Sequence, residues 1–264
     1  MITEYTYEQL IEAVIQFRSA VQGQKIVMIT GAGLSTDAGI KDFRGSNGEF
    51  KRPSILGFHR EETCHADFLK NYPDLFYQEH RARLKAHLKA KPTKGHYKLT
   101  QLFNNPGSRY RNFIGLITIN VDGLHQAAEF PVDKMVELHG SILTGHCEKC
   151  GKKGFTLEYM ANSEKAPRCD EETCDGIIRP DIILPGEQVD LDKFNDAVWM
   201  VRQSDCLWLI GTTMRIYPFA GLLDYYRGQR VSVLNGDNIY PKVDLGGHRI
   251  AYCYFPIQTV LEYF

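Results

Sequence analysis

The chain has 264 residues, enough for one large domain or a domain with a small insertion, and enough to bury a substantial core. Hydrophobic residues make up 43% and charged residues 24%, ordinary proportions for a soluble globular protein, which exclude a disordered chain. A formal charge of −1 with no long basic run excludes the electrostatic footprint of a nucleic-acid binder, so a peptide or a small molecule is the expected ligand.

The start, "MITEYTYEQLIEAV", is acidic and lacks a basic region followed by an apolar stretch, and no segment approaches 18 continuous apolar residues. A cytoplasmic protein without a membrane span is expected. Leu10, Ile11, Val14, Ile15, Phe17 and Val21 recur at helical spacing over 7–22, and "KIVMITG" at 25–31 reads as a short buried strand ending in glycine. Residues 41–94 are polar and helical in pattern, and the charge run in "FYQEHRARLKAHLKA" reads as a solvated helix face. Further strands are expected at 113–119, 206–211 and 231–235, with helical patterns between them. Strands separated by helices indicate an α/β protein, a parallel sheet with helices on both faces.

Residues 144–179 break this rhythm with four cysteines and few large apolar side chains. Cys147 and Cys150 stand in "CEKC", and Cys169 and Cys174 in "RCDEETC". Two pairs of thiolates match one structural zinc ion whose four tetrahedral positions are all filled by protein, which leaves no coordination site for chemistry. The alternative is a set of buried free thiols. His146 adjoins the cluster, but four cysteines suffice. Seven cysteines without an export signal argue for thiols and metal ligands over disulfides, and Cys64, Cys206 and Cys253 read as small apolar residues.

Gly31 and Gly33 follow the first strand, where backbone approaches a pyrophosphate at a helix N-terminus; Thr36 stands where the dinucleotide fingerprint has its third glycine. A tight structural turn is the competing reading. Two other strand ends carry Gly211, Thr212 and Thr213, and Asn235 and Asp237, small or hydroxyl-bonding residues suited to phosphate or ribose. Open parallel sheets bind ligands at the carboxyl ends of their strands, so three such loops point to a nucleotide.

The segments "GAGLSTDAGIKDFRG", "TINVDGLH", "ELHGS", the four cysteines, "RPDIILPGE", "GTTMRIYP" and "VLNGDN" resemble, in order and spacing, the Sir2 family, the sirtuins, which are NAD-dependent protein deacylases. The resemblance spans about 29–238. It implies a Rossmann-like NAD domain from 1–40, 95–140 and 180–264, with a small domain made of a helical insertion at 41–94 and a zinc-binding module at 141–179. NAD and an acylated-lysine protein substrate meet in the cleft between them. Nothing in the sequence bears on oligomeric state.

Carried over by position, the resemblance places Gly31, Ala32 and Gly33 at the NAD pyrophosphate, and Asp42, Phe43 and Arg44 over the ribose and nicotinamide side. Asn120 and Asp122 line the nicotinamide pocket, His139 is the general base, and Gly211, Thr212, Thr213 and Asn235 hold the adenosine half. Ile182, Leu184, Gly186, Glu187 and Ile216 contact the substrate, in part as strands flanking an extended peptide. The implied reaction expels nicotinamide as the acyl oxygen attacks the ribose; a base then deprotonates a ribose hydroxyl, giving free lysine and O-acyl-ADP-ribose. Histidine has a pKa suited to that task at neutral pH. His139 and Asn120 are thus the expected catalytic residues.

The chain departs from the family pattern at Ile119, where glutamine is usual, at Lys41 in place of proline, and at Leu184-Pro185 in place of an aromatic pair. Tyr77 is followed by His80, and not by arginine, three places on, which favours neutral acyl groups, acetyl first. An ADP-ribosyltransferase or NAD hydrolase on the same scaffold is the alternative function; a non-catalytic NAD-sensing module is the third, opposed by the presence of Asn120, Asp122 and His139 together.

Overall fold

The structure, a computed structural model, describes residues 8–9, 11–12, 14–15, 24–45, 48–105, 112–236 and 249–263. Its strands are β1 (Ile26–Thr30), β2 (Phe113–Thr118), β3 (Met135–Glu137), β4 (Gly140–Cys147), β5 (Lys153–Thr156), β6 (Ile178–Ile182), β7 (Cys206–Ile210), β8 (Arg230–Asn235) and β9 (Arg249–Tyr254). Its helices are α1 (Ala66–Asn71), α2 (Pro73–Lys89), α3 (Lys94–Asn104), α4 (Leu124–Ala127), α5 (Leu157–Asn162), α6 (Leu191–Gln203) and α7 (Ile257–Glu262).

Every side chain of β1 and β7 is buried. Such continuous apolar runs belong to strands covered on both faces. They form the centre of a six-stranded sheet of order β3-β2-β1-β7-β8-β9, parallel throughout. One face carries Met28, Leu116 and Trp208 against Leu99 of α3 and Val260 and Leu261 of α7. The other carries Ile29, Ile117 and Leu209 against Ala197 and Val201 of α6. Asp190 caps α6 by accepting from the Asp192 and Lys193 N–H groups, which fixes where its apolar stripe begins. Each fully buried aliphatic side chain of these layers contributes about 1.5–3 kcal/mol. The strand order turns back between β1 and β7, and that reversal opens a crevice at their carboxyl ends.

The two stretches that interrupt the βα rhythm share one core. β5, β4 and β6 form a three-stranded antiparallel sheet. Its Ile142, Phe155 and Ile178 pack with Phe68, Phe76 and Leu84 of α1 and α2 and with Met160 of α5. The Tyr77 hydroxyl donates to the Ile178 carbonyl at 2.6 Å, and the Ala166 N–H donates to Asp74 at 2.9 Å, joining helix to sheet.

Three expectations change. The charge run of α2 is solvated on one side only: Gln78, Lys85 and Lys89 are exposed, whereas Phe76, Tyr77, Glu79, His80, Leu84 and His87 are buried, because a helix whose apolar stripe meets a small sheet turns its neighbouring polar side chains into the same interior. Residues 41–65 are mainly loop, with single 3₁₀ turns at Glu49–Lys51 and Glu62–Cys64. β3 and β9 were not foreseen; the first is only three residues long, and the second reads RIAYCY, with tyrosines and small residues where the other strands carry branched aliphatics. Of the helix expected over 7–22, the described pairs 8–9, 11–12 and 14–15 are helical, and the rest lies outside the described residues, as does Asp237. Among the described residues no helix is long and apolar enough to cross a membrane.

Candidate active site

The chain leaves β1 at Gly31 and enters a 3₁₀ turn at Ala32–Leu34. Two backbone bonds tie this loop to the end of β7: the Gly31 N–H donates to the Ile210 carbonyl at 3.0 Å and the Gly33 N–H to the Gly211 carbonyl at 2.9 Å. The loops touch so closely that a Cβ on Gly31 would lie 2.7 Å from Thr212 Cβ, and one on Gly33 2.8 Å from Gly211 Cα. The glycines are therefore required by loop-to-loop packing, whatever ligand the turn also meets. The Leu34 N–H bonds within the turn to Gly31, so Ala32 offers the turn's leading N–H, the group that an anion at a helical N-terminus uses.

Ser35, Asn120 and Asp122 make a buried polar floor beside it. Ser35 Oγ donates to Asp122 Oδ2 at 2.7 Å, and the Leu124 N–H donates to Asp122 Oδ1 at 3.0 Å. Asn120 Nδ2 donates to the Gly31 carbonyl at 3.0 Å, and the Asn120 N–H is held by Thr118 Oγ1 at 3.0 Å. These bonds orient the amide and the carboxylate before any ligand arrives. Below them His125, 1% exposed, meets Thr30 Oγ1 at 2.9 Å and packs edge-on against His96. Burial holds both rings neutral, bringing His96 down to about 4 and His125 well below its ordinary value, with the nearby His96 a further cause for His125.

His139 follows β3, fixed on one side by the Leu138 N–H donating to Thr118 and on the other by the Ile183 N–H donating to the His139 carbonyl. Burial lowers its pKa, and a hydrogen bond to the Ile119 backbone opposes that. Ile119 thus serves the histidine through its main chain while its side chain packs against the core. An imidazole neutral at pH 7 in this position is a base.

These groups open on one cavity of about 420 Å³, within the range of small-molecule sites. Ala32, Phe43, Arg44, Asn120, Asp122 and His139 line it, and so do Ile182, Leu184, Gly186, Glu187 and Ile216. Gly31, Gly33, Asp42, Gly211, Thr212, Thr213 and Asn235 lie outside the lining. Asp42 braces its own loop, accepting from the Gly45 N–H at 2.8 Å. Glu187 accepts from the Leu184 N–H at 2.7 Å and pairs with Arg179, so its carboxylate shapes the 184–187 turn. The loop of Phe43 is stacked in place: Phe50 lies 5.3 Å from it, Arg44 lies over Phe50, and Arg44 pairs with Glu61 at 2.7 Å.

The sequence reading missed Ser35, and on the α2 wall it used Tyr77 and His80 for acyl preference but missed Arg83 and His87, which line the cavity with them. Their i, i+3, i+4 spacing was legible; which face looked inward was not. Cys64 also lines the cavity rather than sitting in the core, whereas Cys206 and Cys253 are core residues.

In the small domain the sulfurs of Cys147, Cys150, Cys169 and Cys174 all lie within 4.8 Å of one another, with Cys147–Cys174 at 3.6 Å and Cys150–Cys169 at 3.7 Å. A tetrahedron with Zn–S bonds of about 2.3 Å has edges of about 3.8 Å, so the set fits one zinc ion. A Cβ on Gly176 would come 2.5 Å from Cys147 Sγ, which keeps that position bare. Burial raises the Cys147 pKa, but hydrogen bonds from the Cys150 and Lys149 backbones prevail and bring it to about 7, toward the thiolate a metal needs. His146 is engaged elsewhere, its Nδ1 2.6 Å from Asp181.

The family model described as "Sir2 family" matches residues 31–218. An NAD-dependent protein deacetylase of Clostridium acetobutylicum is 34% identical over 215 residues, 81% of this chain and 83% of that protein. One of Sulfolobus acidocaldarius is 35% identical over 216 residues, 80% of this chain and 79% of that protein. Among solved structures, a Sir2 variant with a deacetylated p53 peptide and 3′-O-acetyl-ADP-ribose superposes with a TM-score of 0.76 at 27% identity, covering 96% of this chain and 95% of the other. Sir2 with a p53 peptide and NAD⁺ superposes with a TM-score of 0.72 at 25% identity, covering 98% and 97%.

Proposed function

The chain belongs to the Sir2 family, and we propose that the cavity between sheet and small domain is where it brings NAD and an acyl-lysine peptide together. Its activity is NAD-dependent removal of acyl groups, acetyl first, from lysine of a protein substrate, with nicotinamide and O-acyl-ADP-ribose as products. The observation that carries the reading is the meeting of two prearranged groups in the lining of one cavity: Asn120 and Asp122, held by Gly31, Ser35 and the Leu124 N–H, and the neutral imidazole of His139.

The residues fit the dinucleotide. Ala32 offers a leading N–H for a phosphate, and Asn120 and Asp122 line the cavity with acceptor oxygens for the N–H groups of a carboxamide, both Nδ2 hydrogens of Asn120 being used by the Gly31 carbonyl and Ser35 Oγ. When bound, NAD supplies the glycosidic bond that is broken and the ADP-ribose that accepts the acyl group. Asn120 and Asp122 hold the leaving side in place, and Phe43 and Arg44 close over it to exclude water. His139 takes a proton on its ring nitrogen from a sugar hydroxyl while the Ile119 backbone fixes the ring. Gly186 and Ile216 both belong to the cavity lining and flank an extended peptide in this reading. Gly211, Thr212, Thr213 and Asn235, beyond the cavity lining, serve the adenosine half. The zinc ion, held by four cysteines away from the cavity, is structural. The domain division follows: 1–40, 95–140 and 180–264 bind the dinucleotide, and 41–94 with 141–179 form the small domain.

Mass spectrometry of the products from NAD and an acetyl-lysine peptide tests this. O-acetyl-ADP-ribose with free lysine is expected; free ADP-ribose alone, with the acetyl group still on the peptide, sinks the deacylase reading in favour of a hydrolase or transferase.

A further inference from the structure

The turn that presents the Ala32 N–H has carbonyls of its own to satisfy. The N–H groups of Gly31, Gly33, Leu34 and Ser35 are all taken by main-chain carbonyls, so contact with a phosphate rests on the Ala32 N–H and on the tilt of the turn. Its internal bonds use the Gly31 and Ala32 carbonyls, which leaves those of Gly33 and Leu34 for side chains to reach. Thr36 Oγ1 donates to the Gly33 carbonyl at 3.1 Å, a use for the threonine that stands in place of the fingerprint's third glycine. The Leu34 carbonyl is met from two helices, by Thr93 Oγ1 at 3.3 Å and by Gln258 Nε2 at 3.1 Å. The Thr93 hydroxyl has one proton, and His96 Nδ1 competes for it at 2.8 Å, being an unprotonated nitrogen that also accepts from the Thr93 N–H. Leu34 therefore depends on Gln258.

We infer that Gln258, on helix α7, is a positioning residue for the dinucleotide: its amide clamps the phosphate turn to the start of α3. Oε1 accepts from the Gly95 N–H at 2.5 Å, one of the first-turn donors that a helix cannot pair internally, while Nε2 holds Leu34. These partners fix which way the amide points, since a main-chain N–H bonds only its oxygen and a carbonyl only its nitrogen. The three elements meet without a gap. A Cβ on Gly95 would lie 2.7 Å from Gln258 Oε1, 2.8 Å from Leu34 Cδ1 and 3.1 Å from Leu261 Cδ1. Leu34, Leu99, Ile257 and Leu261 continue the contact in the core. Gln258 is not among the residues lining the cavity, so it acts on the cofactor only through the turn. A side chain 224 places along the chain from Leu34 thus sets the tilt of the Ala32 N–H.

The inference rests on the reading of the Ala32 turn as the pyrophosphate site, and the test keeps the two apart. NAD and ADP-ribose are titrated by calorimetry into the parent protein, Gln258→Met, Gln258→Glu and Gln258→Lys, in about 0.5 M salt so that an added charge acts only weakly on a phosphate. Methionine removes both bonds without adding charge. Glutamate keeps the shape and the acceptor for Gly95 but has no proton for Leu34, so it reads the clamp even where methionine unfolds the chain, and lysine keeps a donor for Leu34 alone. Gln258→Met and Gln258→Glu weaken NAD and ADP-ribose alike by about two- to tenfold, the worth of one neutral hydrogen bond, and Gln258→Lys recovers much of that affinity. With an acetyl-lysine peptide the loss appears in KM for NAD, while kcat at saturating NAD stays within about twofold of the parent. Gln258→Glu binding both ligands within about 1.5-fold of the parent, a loss seen only in kcat, or Gln258→Lys binding no better than Gln258→Met overturns the clamp. A parent that binds neither NAD nor ADP-ribose overturns the pyrophosphate reading instead.

Discussion

Gly211 and Gly39 are a matched pair for asking why the nucleotide-side loops need glycine. Both are left-handed, at φ 63° and 84°. A Cβ at Gly39 meets nothing within 4 Å, whereas one at Gly211 lies 2.4 Å from the Leu34 nitrogen and 2.8 Å from the Gly33 carbonyl carbon, both main-chain atoms that cannot rotate away. Gly39→Ala therefore carries only the backbone penalty, about 1–2 kcal/mol. Gly211→Ala adds overpacking between two loops, about 1–3 kcal/mol more. Unfolding entropy near 2.1 cal/mol/K per residue over 264 residues makes each kcal/mol worth about 2 °C. Gly39→Ala should lower Tm by about 2–4 °C and Gly211→Ala by about 4–10 °C. The assay is calorimetry without ligand, followed by NAD titration: parting the β1 and β7 loops also weakens NAD binding in Gly211→Ala, and Gly39→Ala binds as the parent does. Equal Tm values for the two variants, within about 1 °C, refute the claim that loop-to-loop packing demands the glycine.

His139→Ala should cut deacylation by about 10²–10⁴-fold while NAD still binds, measured by product formation and calorimetric titration; a variant with near-parent turnover removes the base assignment. Because burial lowers the His139 pKa, the base stays neutral at pH 7 and kcat/KM falls only as pH drops through a value below the ordinary 6.5; an acid limb centred above pH 7 contradicts this. Stability should also fall with acid. His80, His96 and His125 have folded pKa values below the unfolded 6.5, so the unfolded chain binds more protons, and stability present above pH 6.5 is lost progressively toward about pH 4. Urea midpoints at pH 7.5 and 5 check it, and equal midpoints would be the adverse result. Cys147→Ser should lose zinc and unfold at lower temperature, read by metal analysis and Tm; parent protein holding less than about half an equivalent of zinc contradicts the tetrahedral assignment.

What the sequence determined by itself were the features whose signal is local. "KIVMITG" and "CLWLIG" became β1 and β7 because unbroken apolar runs flanked by helical patterns are stable only as strands covered on both faces. The paired cysteines announced four sulfurs, since thiolate spacing is a short-range property. Motif order pointed to Asn120, Asp122 and His139, which line one cavity. Tertiary structure decided which residues meet. Gly31, Gly33 and Gly211 are separated by far in sequence, and only the reversal of strand order at β1 and β7 presses them together. The charge run of α2 read as solvated because composition carries no direction. A helix has no inside until another surface chooses one, and the three-stranded sheet behind α2 chose the face that sends Glu79 into the core and Arg83 into the cavity wall.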